Sequence, residues 1–142
     1  MASDPTELIV GAFAAFNEGG APAFIGCLTD RDALDEDFAM EIQADAPNGG
    51  RREGEAGFLR MADLWLEAWE EFEMPPGDPV QLSAGRYLVP TRQRVVARGS
   101  GMELEEGFFY TVQLSQGRVK RIGLFSDRSL AERDLALGAD GG

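Results

Sequence analysis

The stretch FFYTVQLSQGRVKRIGLFSD, residues 108–127, reads as two strands around a tight Ser-Gln-Gly turn. Apolar residues alternate through Phe108, Tyr110, Val112 and Leu114, then return through Ile122 and Leu124. Successive strand side chains point to opposite faces, so period-two alternation on both sides of a glycine-containing turn specifies a hairpin with one buried face. The rest of the chain reads as material for covering that face and closing a cavity against it.

Working outward, Gly99-Ser100-Gly101 is the preceding turn, and Tyr87 to Arg98 is a long strand. Pro90 interrupts that strand; lacking an N–H, it belongs at a sheet edge or a bulge. Val80 to Ala84 is a short strand. Upstream, Phe58, Ala62, Trp65, Trp69 and Phe72 fall at i, i+4, i+7, i+11 and i+14, which predicts a helix over Glu55–Glu73. Phe38, Met40 and Ile42 alternate, so Phe38–Gln43 is a first strand, followed by a loop at Ala46–Gly50. Near the start, Asp4 can cap a helix with Pro5 at its first position. That helix carries Ile9, Ala12, Phe13 and Phe16 on one face, and Asn17-Glu18-Gly19-Gly20 ends it. Pro22 opens a short second helix through Leu28. At the other end Asp127 can cap a helix through Leu137, with the last five residues fraying.

This order gives an α+β fold: a cone-shaped curved antiparallel sheet, three N-terminal helices on its concave face, and a short C-terminal helix. At 142 residues, 44% hydrophobic, the chain fits one domain over 1–142. A formal charge of −12 disfavours nucleic acid and anionic membranes. No apolar run reads as long enough for a membrane span, and the acidic start is unlike a signal peptide, so cytoplasmic is the expectation. The absence of histidine removes the commonest general base and every Ser-His or Cys-His dyad. The single cysteine, Cys27, excludes an internal disulfide and a cysteine zinc site. The acids of Asp30–Asp37 lack the glycine and the twelfth-position glutamate of a calcium loop. No metal and no cofactor is expected.

Several short motifs carry a family resemblance. Phe13-Ala14-Ala15-Phe16-Asn17-Glu18-Gly19-Gly20 resembles an A-x-N-x-G-D helix ending, and Leu34-Asp35-Glu36-Asp37-Phe38 an L-x-D-D-V strand entry. Gly54-Glu55-Ala56-Gly57-Phe58 resembles a G-x-E-A-I helix start, and Gln116-Gly117-Arg118-Val119 with Phe125-Ser126-Asp127 resembles the closing hairpin. In order and spacing these resemble the nuclear transport factor 2-like superfamily, close to the SnoaL-like polyketide cyclases. The resemblance implies an α+β cone around an apolar pocket, often in homodimers packed through the outer sheet face.

Chemistry is carried over position by position. Where isomerase-like members hold a carboxylate base and a helix tyrosine, this chain has Ile42 and Ala12. Where they hold a second oxyanion donor, it has Tyr110. Where epoxide-hydrolase-like members hold an Arg-x-Asp pair and a last-strand Asp, it has Thr91, Gln93 and Leu124. The resemblance thus implies that both sets of catalytic acids are missing and Tyr110 remains.

With Thr91, Gln93 and Val95 inward, the expected pocket is lined by Phe16, Met40, Ile42, Trp65, Trp69, Tyr87, Gln93, Tyr110 and Leu124. Such a pocket suits a small apolar ligand held by one or two hydrogen bonds. Glu41 should face outward, and a one-residue slip would bring it in. Arg92, Arg94 and Arg121, near Glu103 and Glu105, join the outward Phe109 and Phe125 as an expected homodimer face. Three functions remain open: a ligand-binding domain without the standard acids, an isomerase, cyclase or hydratase using Tyr110 as acid or oxyanion donor, and a dimeric regulatory module with a vestigial cavity.

Overall fold

The structure, a computed structural model, describes residues 5–43, 49–75 and 77–140, without the side chains of residues 65 and 137–140. The expected cap at Asp4, most of the Ala46–Gly50 loop and the side chain of Trp65 lie outside the described residues. The elements run α1 (Pro5–Asp30), β1 (Leu34–Ile42), β2 (Gly50–Glu53), α2 (Gly54–Leu66), β3 (Trp69–Glu73), β4 (Val80–Ser83), β5 (Arg86–Ala97), β6 (Glu103–Ser115), β7 (Arg118–Phe125) and α3 (Arg128–Asp140).

Seven strands form one sheet in the order β2-β1-β7-β6-β5-β3, with β4 also pairing β5. Every pairing is antiparallel except β1 with β7, which is parallel, so the curled sheet is mixed. The β6–β7 hairpin closes through Gln116 and Gly117, both at positive φ (53° and 79°), the turn whose twist matches antiparallel strands. Pro90 occupies the edge of β5 left open between β4, which pairs up to Leu88, and β3, which begins at Arg94. There Gly77 N–H donates to the Pro90 carbonyl at 2.6 Å.

The two N-terminal helices emerge as one span, α1, broken at Gly20, whose φ of 75° and ψ of −162° no continuous helix admits. By length and hydropathy this 26-residue span could cross a membrane, which corrects the expectation that no such run exists. In the fold it is interrupted at Gly20, and Leu8, Ile9, Phe13, Phe24 and Leu28 are buried in the core with α2 and the concave sheet face.

Two elements depart from the sequence reading. The helix expected over Glu55–Glu73 ends at Leu66, and Trp69–Glu73 is a strand paired with Arg94–Ala97. Trp69 and Phe72 continue the helical spacing, but a β-bulge between Trp69 and Glu71 lets the same residues join a strand. Gly50–Glu53, of which only Gly50 fell in the expected loop and the rest was given no element, adds a strand beside β1.

The convex face also differs. Phe125 is buried with Leu88 against Ala131 and Leu135 of α3, and Phe109 packs beside them. Of these two aromatics, expected on a face for a second subunit, Phe125 is covered by the chain's own last helix and Phe109 is partly buried beside it. Asp127 starts that helix by accepting from Ser129 N–H at 2.7 Å and Ser129 O–H at 2.5 Å, and these bonds hold its carboxyl below the ordinary value. Asp134 ties the helix down: it accepts from Thr111 Oγ1 at 3.1 Å and pairs with Arg121 at 2.5 Å. Arg121 also pairs with the outward Glu41 at 3.2 Å. Beyond α3, Arg92 pairs with Glu105, and Arg94 with Glu103 at 2.5 Å, as the cross-strand spacing predicts.

Candidate functional site

The concave face and the two N-terminal helices enclose a cavity of about 370 Å³. Its floor comes from alternate residues of three neighbouring strands: Met40 and Ile42 of β1, Ile122 and Leu124 of β7, Phe108 and Tyr110 of β6. The helices supply Phe13, Phe16 and Phe24 from α1, and Phe58, Met61 and Ala62 from α2. Phe72 and Met74 close one side, and Phe125 reaches the wall from the end of β7. The aromatic rings interlock: Phe13 lies edge-on to Tyr110 at 5.1 Å between centroids, Phe16 edge-on to Phe72 at 5.7 Å, and Phe24 stacks on Phe58 at 5.2 Å.

Polar atoms are few. Gln43, Ser126 and Glu106 line the wall where β1, β7 and β6 approach the opening, and Glu106 is the single carboxylate among the lining residues. Gln43 Oε1 accepts from Ser126 N–H at 2.9 Å and Ser126 O–H at 3.0 Å, tying the ends of β1 and β7 together. Deeper in, Tyr110 presents the buried phenol. Gln93 Nε2 donates to its oxygen at 3.4 Å and lies 3.7 Å from Met74 Sδ. Asn17, at the end of the first half of α1, clamps Met74 in turn: its amide accepts from Met74 N–H at 2.8 Å and donates to Met74 C=O at 2.9 Å.

Burial pushes the Tyr110 phenol well above its ordinary value of 10.0, and the bond from Gln93 only partly offsets this. The phenol therefore keeps its proton at neutral pH. Unfolding exposes it, and the unfolded chain releases that proton near pH 10 while the native state does not. Native stability should accordingly fall as pH rises past 10. The urea midpoint should drop more between pH 9 and 11 in the natural chain than in Tyr110→Phe; equal drops would show that the phenol is not desolvated as described.

Of the residues singled out from sequence, Phe16, Met40, Ile42, Tyr110 and Leu124 meet on this wall. Tyr87 is buried in the same core but off the wall, Trp69 sits half-buried on β3, and Gln93 stands behind Tyr110 rather than on the surface. Phe13, Phe24 and Phe58 lie on apolar helix faces that the sequence shows, though nothing local marks them as facing a void. Glu106 was within reach of the alternation, two residues before Phe108. Met74 was not, because its place depends on Asn17, 57 residues away.

No protein-family model matches the chain, and no curated protein matches it in sequence. Solved structures do. IdmH, a putative polyketide cyclase from Streptomyces antibioticus, superposes with a TM-score of 0.68 at 20% identity, over 94% of this chain and 99% of that one. A putative SnoaL-like polyketide cyclase from Jannaschia sp. gives 0.67 at 13% identity, over 93% and 91%. TerC, co-crystallised with polyporic acid, gives 0.72 at 16% identity, over 93% and 98%. The chain thus has the α+β cone fold shared by these structures and by others described as nuclear transport factor 2-like.

Proposed function

We propose that this domain binds a small, apolar, aromatic-rich molecule inside the cone. The observation that carries the reading is the cavity itself: about 370 Å³, walled by seven phenylalanines, with a buried phenol and only Gln43, Ser126 and Glu106 besides as polar lining. That volume falls in the range of small-molecule sites, and such sites are mostly apolar with a few placed polar groups. It also leaves room that a vestigial cavity would lack. Ile42 and Leu124 on the wall put branched alkyl groups where the resemblance implied carboxylates. The cyclases among the structural neighbours, and the TerC crystal with polyporic acid, support an organic ligand of this kind.

The neutral, environment-sensitive naphthalene ketone prodan tests this. Its emission should shift to the blue and saturate, with a Kd on the order of micromolar. Emission that stays at its aqueous position throughout the titration would reject the reading.

One observation favours a second reading, catalysis. Glu106 and Tyr110 share a strand face four residues, about 13 Å, apart, so a base and an acid flank the same cavity. Turnover of an unsaturated ketone that is lost in both Glu106→Gln and Tyr110→Phe would establish it.

A further inference from the structure

The wall of the cavity carries a hydrogen-bonding polarity as well as a shape. Gln93 is 2% exposed and extends from β5 to a point between two acceptors. One N–H of its amide reaches Tyr110 Oη at 3.4 Å, and the same nitrogen lies 3.7 Å from Met74 Sδ. Sulfur is a weak acceptor and no donor, so the amide N–H and not the amide oxygen belongs on the side facing Met74 Sδ, and that same nitrogen then donates to the phenol. Met74 holds its position through its main chain, fixed at both N and O by the Asn17 carboxamide. The order of contacts is therefore Asn17, Met74, Gln93, Tyr110, running from the end of a helix to the cavity wall. At its last step the phenol oxygen accepts from Gln93, and the phenol proton has no acceptor among the described residues. Phe13, edge-on at 5.1 Å, offers the ring no acceptor.

We propose that Met74 and Gln93 are positioning residues that make Tyr110 a hydrogen-bond donor into the cavity, so that the site selects apolar molecules carrying a carbonyl-type acceptor at that point. The proposal rests on the ligand-binding reading above and adds a rule of selection to it. A buried donor left without an acceptor is penalised, so an apolar guest lacking one is disfavoured even when its shape fits.

Two shape-matched probes isolate the effect: 2-acetylnaphthalene and 2-isopropenylnaphthalene differ by C=O against C=CH2. Calorimetric titration of the natural chain should give the ketone an affinity about three- to tenfold higher, the size of one net hydrogen bond. Tyr110→Phe should erase that preference, because the ketone loses its partner and the alkene no longer faces an unpaired donor. Gln93→Glu should erase it too although the phenol remains, because a carboxylate there accepts the phenol proton and turns it away from the cavity. A ketone preference that survives in Gln93→Glu overturns the proposal. A purely packing role for Gln93 would alter both affinities together and leave their ratio untouched.

If Gln93→Glu fails to fold, an infrared measurement on the natural chain and Tyr110→Phe decides. The carbonyl stretch of bound, carbon-13-labelled 2-acetylnaphthalene should sit below its position in an alkane solvent and return there in Tyr110→Phe. An unshifted stretch overturns the proposal while leaving ligand binding intact. Failure of both probes to bind the natural chain removes the ligand-binding reading, and the selection rule falls with it.

Discussion

Gly123→Val should loosen α3 from the sheet and lower stability by about 3 kcal/mol, the upper end of the usual cost of overpacking. Gly123 lies on the convex face of β7, fully covered, and a Cβ built there would come within 2.4 Å of Thr111 Oγ1 and 2.6 Å of Phe125 Cε2. Neither neighbour has room to retreat. Thr111 is completely buried and holds Asp134, while Phe125 packs against Leu88 and the α3 residues Ala131 and Leu135. The smallest relief is for the helix to lift, which also exposes Asp134 and leaves Arg121 with Glu41 alone among the described residues. Because Phe125 also lines the cavity, probe affinity should fall alongside the urea midpoint. Gly107→Ala is the control, since its nearest neighbour to a built Cβ is 3.8 Å away and its effect should stay within about 0.5 kcal/mol. If the two variants denature at the same urea concentration, the account of how α3 is docked is wrong.

Ala62→Trp should abolish ligand binding without unfolding the protein. Ala62 faces the cavity from the middle of α2 and is 3% exposed, so a larger side chain has only the void to enter. Apolar cavities take apolar guests because their walls lack contact partners; an indole supplied by the chain meets that need first. We expect prodan affinity to fall at least about a hundredfold, on the order of 3 kcal/mol, with the thermal midpoint unchanged or raised. Retained affinity in a folded Ala62→Trp would place the bound probe somewhere other than the cone. This outcome and the Tyr110→Phe result separate two contributions, since one removes the room and the other only the polar contact.

How much of this could be read in advance follows from the range of each interaction. The β6–β7 hairpin and the inward set Phe108, Tyr110, Ile122 and Leu124 were legible because alternation and turn chemistry are local. So was the pairing of Arg94 with Glu103, which needs only the register of one hairpin. Trp69 and Phe72 misled because they satisfy both a helical stripe and a bulged strand. The decision falls to β5, some 25 residues later, which offers its edge. The same holds for Gly50–Glu53, four residues that become a strand only beside β1. Phe125 was placed on the correct face, yet its covering by Leu135 required knowing where α3 would lie. The cavity wall was half legible for the same reason. Strand positions such as Ile42 announce their face, whereas Met74 arrives there through a clamp from Asn17.

Pro90 has a consequence for how the molecule behaves among its own copies. A long strand with a free margin invites another chain to zip onto it, the route by which folded domains begin to clump. Between β4 and β3 this margin is open, and the residue placed there has no N–H to offer and a carbonyl already taken by Gly77. At Pro90 an incoming strand would find neither an N–H nor a free carbonyl. The proline that looked like a flaw in the strand pattern thus acts as a guard against stacking of sheets at high concentration.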